Sequence, residues 1–486
     1  MRDPMRARVT VLIVAALALD SAAPALADPL SAQSLMADVT TYAGLGTDHL
    51  TGSANGAATQ DWVIQQLAAV GLQTGSDAFT FLRFAPSTVS LQVTGQAVPS
   101  TAPRFYSGTT PAAGVSAPLV YAGTGSAQED SRAGVAGKIE VIDVPMVDDA
   151  VEPTLDGAFT AAQAAGAVGL VAVTEGAQDY PVQEDIDSRQ GVQNLPTVFV
   201  GKRTGAGVIT AAKAGAPATL TLTASVGTGC DRDVYGVLPG ADPSHYVVIG
   251  TPTSAFGPAA SERGSGVAIF LGLARHYASL PQSSRPFTMI FVATTGHEIG
   301  YLGLPLFMQD HPGWFSAAQA YVHLGASIGA AQLAEAPDGS VVQAPAGDLT
   351  RLFYVSENPL LLPGVQAAFA GTATITGSSS PAVRNVGEQA YPYHQGVPII
   401  SISGGSYYFH TAGDQPSAVN PSLLASMAAG FEGSIDYVDS LPAGTIPQGN
   451  GLAAAAGARQ DPNPTPSGSS GAGNPAYQPT PVPSCS

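Results

Sequence analysis

The sequence predicts an α/β protein: a mixed, mostly parallel sheet flanked by helices, with a second, smaller α/β unit inserted into it. Three observations carry this. Residues 228–442 alternate short β-rich apolar runs with helical stretches, and such alternation builds βαβ units with helices on both sheet faces. Residues 111–227 repeat the alternation within their own bounds, as an independent unit would. Hydrophobic residues make up 45% of 486, enough for two or three cores.

The elements follow in chain order. Arg2, Arg6 and Arg8 precede an apolar stretch from Val9 to Leu19, and Ala25-Leu-Ala fits a small-x-small cleavage site. Residues 1–27 therefore read as a signal peptide, and the mature protein as secreted or periplasmic. The first part of the main domain, 28–110, holds helices over 32–43 and 57–70 and a strand over 87–93. Gly71 marks the end of the second helix. The inserted unit, 111–227, has strands at 117–121, 137–142, 168–173 and 197–200, with an Ala-rich helix over 158–166. The remaining domain, 228–442, has buried strands at 246–250, 287–292 and 398–402 and helices at 267–277 and 302–308. Residues 443–486 are rich in Pro, Gly and Ser and read as a disordered tail.

Composition narrows the function classes. Lys and Arg number 18 against 36 Asp and Glu, a net charge of -18. Nucleic acid and anionic membranes both require a basic face, so neither is expected as a partner. After residue 27 no run approaches the ~18 uncharged apolar residues of a membrane span, so no membrane is expected for the mature form. Charged residues are only 11%, which leaves a surface of Ser, Thr, Gln, Gly and Ala. Cys230 and Cys485 are the two cysteines; export permits a disulfide between them, and two separate thiols are the alternative.

Inside the inserted unit stand Gly134-Val-Ala-Gly-Lys-Ile, Ala161-Ala-Gln-Ala-Ala-Gly-Ala-Val-Gly and Leu195-Pro-Thr-Val-Phe-Val. These resemble the pattern of a protease-associated domain, and nothing in the unit suggests catalysis. In the main domain stand Val234-Tyr-Gly-Val-Leu-Pro-Gly, Val247-Val-Ile-Gly, Ser265-Gly-Val-Ala, Gly296-His-Glu-Ile-Gly-Tyr-Leu-Gly and Tyr407-Tyr-Phe-His-Thr-Ala-Gly-Asp. Leu50-Thr-Gly-Ser-Ala-Asn-Gly precedes them. Together these resemble the co-catalytic zinc aminopeptidases, metallopeptidase family twenty-eight, which also contains glutaminyl cyclases. The resemblance runs from about Leu50 to Asp414.

Carried over position by position, the resemblance implies an altered site. Thr251-Pro-Thr253 stands where the family has His-x-Asp. Glu262 stands for the bridging Asp, and His297-Glu298 for a Glu-Glu pair of base and ligand. Gly325 replaces a further Asp ligand, and His410 keeps the last His. Glu262, Glu298 and His410 would then hold one zinc ion with an open fourth position. His297 would act as general base, and His323 would be a possible extra ligand on the same strand face as Gly325. The function this implies is a single-metal hydrolase or cyclase acting on peptides or small amides.

Plainer readings stand beside these. Glu262 followed by Arg263 reads as an exposed ion pair. His394 reads as a pocket or surface residue, and His49, His245, His276 and His311 as surface residues. Ser265 would cap the helix it opens. Ser254, Ser261 and Ser265 lie near the pocket, but no Gly-x-Ser-x-Gly elbow follows a strand, which argues against a serine nucleophile. Two further functions stay open: an inactive peptidase-like protein that serves as a binding module, and metal-free acid/base chemistry on His297, Glu298 and Glu262.

Overall fold

The computed structural model describes residues 28–145, 152–344, 351–372, 375–379 and 387–446. Its centre is a mixed, mostly parallel sheet. Strands Phe287–Thr294, Asp242–Pro252, Ala318–Leu324 and Ile399–Gly404 lie side by side in that order, all parallel. Antiparallel strands close both flanks: Pro217–Leu238 beside Phe287–Thr294, and Arg351–Val355 beside Ile399–Gly404.

The continuous apolar runs of the inner strands follow from burial on both faces. Val247, Ile249, Met289 and Phe291 face one core, while Val248, Ile290 and Val292 face the other. The first core is covered by helices Ala32–Gly44, Ala54–Ala69, Ser265–Ser279 and Pro421–Ser440. Ser31, Ser53 and Asn420 cap three of these with their side chains. Phe270 meets Phe291 edge-on with ring centroids 5.5 Å apart. Full burial of each such ring is worth about 1.5–3 kcal/mol. Helices Gly303–Asp310 and Pro312–Ser316 cover the second core through Phe307, Met308 and Phe315.

The inserted unit has its own parallel strands, Val115–Tyr121, Ile139–Val144, Gly169–Thr174 and Thr197–Gly201. Helix Glu152–Ala165 packs on one face through Leu155, Phe159 and Ala162. Helix Lys202–Lys213 packs on the other through Val208 and Ala212.

A long ribbon joins the two sheets. Gln73–Val93 pairs antiparallel with Pro217–Leu238, from Gln73↔Val237 to Val93↔Ala218, with a register shift between Pro86 and Thr88. The sequence pattern predicts only residues 87–93 of the first strand. Gly75, Asp77 and Pro86 are poor strand formers, and the pairing with a long partner overrides their preference.

Several expectations for single residues change. His49 is fully buried, not a surface residue: it stacks on Tyr42 with centroids 3.9 Å apart, and its Nδ1 lies 2.7 Å from Thr59 Oγ1. His245, His276 and His311 are half-buried, with a ring nitrogen 2.7, 3.1 and 2.6 Å from a carboxylate oxygen of Asp242, Glu432 and Asp77. Ser265 does not cap its helix; its hydroxyl donates back to the Ser261 carbonyl at 2.6 Å. Among the described residues no helix is long and apolar enough to cross a membrane. Cys230 carries no free thiol. Cys485, the proposed signal peptide and the tail beyond residue 446 lie outside the described residues.

Candidate functional site

Three loops meet at the carboxyl ends of the parallel strands, where open α/β sheets place their ligands. The first follows Asp242–Pro252. Ala259 sits in the left-handed region at φ 44°, and Ala260–Gly264 form one wide helical turn before the helix Ser265–Ser279. This turn sends the side chains of two consecutive residues inward: Glu262 is 0% exposed and Arg263 3%. The carboxylate of Asp414 fixes the turn by accepting the N–H groups of Ser261 and Glu262, each at 2.9 Å.

The second loop follows Phe287–Thr294. A single tight turn, His297–Ile299, lies between Gly296 at φ 85° and Gly300 at φ 103°. A side chain on Gly300 would also strike Asp187, whose Oδ1 lies 2.8 Å from the place of a Cβ. Glycine is required there by both conformation and space. The third loop follows Ile399–Gly404 and carries His410 at φ 55°, a strained setting for a residue with a side chain.

The inserted unit closes over these loops. The N–H of Gln183 donates to the His410 carbonyl at 2.9 Å, and that of Ile186 to the Glu298 carbonyl at 2.9 Å. The Ser188 hydroxyl donates to the Ile299 carbonyl at 3.1 Å. The sequence assigns this unit no part in the site; the fold makes it the cover of two of the three loops.

Glu262 and Glu298 lie on either side of a guanidinium, and His410 lies against Glu262. Nη2 of Arg263 lies 3.2 Å from Glu262 Oε1 and 3.2 Å from Glu298 Oε1. The Glu262–Arg263 pair is therefore buried, not the exposed pair that the bare sequence suggests. Nε of Arg263 donates to the Ser254 carbonyl at 3.2 Å. The same oxygen of Glu262, Oε1, lies 3.3 Å from His410 Nε2, which also stands 3.7 Å from Asp185 Oδ1. Burial works to raise the Glu262 carboxyl, but His410 and Arg263 outweigh it and hold the group below the usual range. Burial alone would favour deprotonation of Arg263; Glu262 and Glu298 reverse that and raise it further.

His297 looks elsewhere. Its Nδ1 lies 3.4 Å from Glu388 Oε1, and Glu388 Oε2 accepts the Thr294 hydroxyl at 2.6 Å. Burial, then the nearby Arg263 charge, hold His297 well below its ordinary value, so the ring is neutral. Burial pushes Glu388 up to about 7. His323 is buried with Nδ1 3.0 Å from Ser401 Oγ, and burial lowers it to about 3. Glu388 and Asp185 escape sequence reasoning because no spaced motif contains them. Asp414 lies within a motif, but its anchoring role is set by a loop about 150 residues away.

The positions that lack expected ligands are built into the scaffold. The Thr251 hydroxyl donates to the Leu324 carbonyl at 3.1 Å and that of Thr253 to the Thr294 carbonyl at 2.7 Å. A Cβ on Gly325 would lie 2.1 Å from Ser403 Oγ, so the loop as folded has no room for a carboxylate side chain there.

A cleft of about 470 Å³ opens onto this floor. Phe81, Phe84, Phe105, Phe256 and Ile299 form its walls, and Glu298 and His410 lie at its base. His394 is half-buried and does not line it.

The comparisons with known proteins agree with this architecture. Residues 233–433 match peptidase family M28, and residues 115–208 match the PA domain. The chain carries an M28 peptidase domain with a PA domain inserted before it. Its fold is that of a zinc aminopeptidase from Bacillus subtilis, at 16% identity and a TM-score of 0.66, covering 84% of this chain and 95% of that one. A peptidase M28 precursor from Shewanella amazonensis gives 19% identity and a TM-score of 0.63 over the same shares. Transferrin receptor protein 2 of Rattus norvegicus is 33% identical over 82 residues, 16% of this chain. That match spans only 10% of the receptor's length.

The fold family implies zinc, and the M28 site of this chain as folded does not fit it. The two carboxylates that would hold the ion share a guanidinium nitrogen instead. Among the described residues, no group of three His, Cys, Asp or Glu side chains is spaced to hold a metal ion.

Proposed function

We propose that this protein is an exported, peptidase-like binding module, which takes peptides or small amides into the cleft between the M28 loops and the ribbon strand Gln73–Val93 and does not cleave them. The observation that carries this reading is the position of Arg263 between Glu262 and Glu298. Hydrolysis by an M28-type site needs a Lewis acid that polarises the amide and activates water. Here the carboxylates that would hold such an ion already have a cation. The residue that replaces the family's general base, His297, points to Glu388 and does not line the cleft.

The cleft itself supports ligand binding. Its volume of about 470 Å³ lies within the range of small-molecule sites, and its walls are aromatic and aliphatic. One carboxylate oxygen of Glu298, Oε2, is buried at the base without a hydrogen-bond partner among the described residues. A donor on the ligand, such as an amine or amide N–H, would satisfy it. Export rests on the N-terminal basic and apolar run.

The test is calorimetric titration of the purified protein with short peptides bearing an apolar side chain, beside an aminopeptidase assay on aminoacyl anilides after dialysis against zinc. The expected result is saturable binding, weakened about tenfold by Phe256→Ala, which removes an aromatic wall worth about 1.4 kcal/mol. No turnover is expected with or without zinc. Zinc-dependent turnover that disappears in Glu298→Ala would overturn the reading and establish a single-metal hydrolase on Glu262, Glu298 and His410.

A further inference from the structure

We infer that Arg263 is a tethered replacement for a divalent cation: its guanidinium closes a latent metal site formed by Glu262, Glu298 and His410. The inference rests on the M28 reading of the floor but not on the peptide ligand.

Geometry carries it. Glu262 and Glu298 come from separate loops, and both are at most 1% exposed. Two such carboxylates cannot share a dry pocket without a cation or a proton between them. One nitrogen of Arg263 serves both at equal distance, 3.2 Å, as a point charge would. This is not the two-nitrogen fork by which Arg commonly grips a single carboxylate. Glu262 Oε2 accepts the His410 backbone N–H at 3.4 Å, while Glu298 Oε2 is buried with no hydrogen-bond partner among the described residues. His410 adds an imidazole nitrogen at 3.3 Å from Glu262. Two carboxylates and one imidazole are donor types that hold zinc or a similar divalent ion; they are spaced for the guanidinium as folded, and its removal would leave them free to close on an ion.

The backbone is shaped for this substitution. In a regular helix, consecutive side chains diverge by about 100°. The wide turn Ala260–Gly264, entered from Ala259 at φ 44°, turns both Glu262 and Arg263 toward the same pocket. A widened helical turn at a functional site is a recognised way to re-aim one residue. The bridging carboxylate and its cation are thus supplied by neighbouring residues of one loop, which makes the assembled floor independent of metal supply.

The experiment measures zinc content by elemental analysis and the thermal midpoint with and without added zinc, for the full secreted chain and for Arg263→Ala, Arg263→Gln and Arg263→Lys. Wild type and Arg263→Lys are expected to retain no stoichiometric zinc and to show no zinc-dependent shift. Arg263→Ala and Arg263→Gln are expected to bind roughly one zinc per chain and to melt several degrees higher with zinc than without. Removing Glu298 as well, in Arg263→Ala/Glu298→Ala, should abolish both effects. If Arg263→Ala does not fold alone, recovery of the fold by zinc supports the inference equally, and Arg263→Gln supplies the same comparison with less loss of volume. Stoichiometric zinc in wild type would overturn it, as would neutral variants that fold without responding to zinc. Peptide binding by the wild-type protein is unaffected by either outcome, so the two readings fail separately.

Discussion

In the M28 domain, Glu262 and Glu298 are buried around the guanidinium of Arg263; in the PA domain, Glu140 and Asp130 are buried against each other. Both pairs are carboxylates withdrawn from water, and that withdrawal costs several kcal/mol per ion unless a charge or a proton compensates it. The M28 pair uses a fixed cation, so Glu262 stays ionised and below the usual range although burial alone would raise it. The PA pair uses a proton: burial first, then the Asp130 charge, push Glu140 up to about 8. The same cost is met in two ways, and the two ways respond to pH in opposite directions.

The largest effect is expected from breaking the first arrangement. Arg263→Met leaves two carboxylates without their cation and should cost about 3–5 kcal/mol. A thermal melt at neutral pH reads this as a large drop in midpoint. An unchanged midpoint would mean that the carboxylates do not depend on the guanidinium, and the contrast with the PA domain would collapse.

The second arrangement is tested by pH. Glu140 has a folded value near 8, above its ordinary 4.5. Its contribution is therefore fully present below about 4.5 and is lost as the pH rises through 8. Glu140→Gln should melt with wild type at pH 4 but above wild type at pH 9. Glu262 has the opposite sign: its contribution is present above the ordinary carboxylate range and is lost as the pH falls through its lowered value. A variant Glu140→Gln that loses stability equally at both pH values would show that the PA pair is not held by a proton.

Smaller effects sharpen the comparison. Asp414→Asn keeps one acceptor for the turn that carries Glu262 and should cost about 1 kcal/mol, measured by chemical denaturation. The exposed pair Arg232–Asp61, with side chains 37% and 59% exposed, sets the lower limit. Arg232→Ala should change stability by no more than about 0.5 kcal/mol. A larger loss would mean that surface charge matters more in this lightly charged chain than solvent screening allows.

The fold was legible where local pattern and tertiary burial agree. The runs at 246–250, 287–292 and 398–402 are buried on both faces, and so is the run at 197–200. The ribbon strand over 73–86 was hidden because Gly75, Asp77 and Pro86 break the local pattern that pairing with residues 224–237 sustains. Within the site, Glu262, Glu298 and His410 stood out because each lies in a quoted motif. Glu388 and Asp185 did not, since their only signal is proximity to His297 and His410 across the fold. The burial of His49 is not legible in the sequence, because a single imidazole in a loop gives no sign of the Tyr42 ring that covers it.

The sequence by itself determined the alternation of strands and helices, the inserted unit and the residue types that meet at the strand ends, because these depend on short-range periodicity and on motifs a few residues long. Only the tertiary structure decided that Arg263 turns inward to Glu262 and Glu298 and that the PA loop seals the floor. A charge's direction depends on the backbone turn that carries it and on what is buried opposite, and here one partner, Glu298, lies on a separate loop 35 residues away.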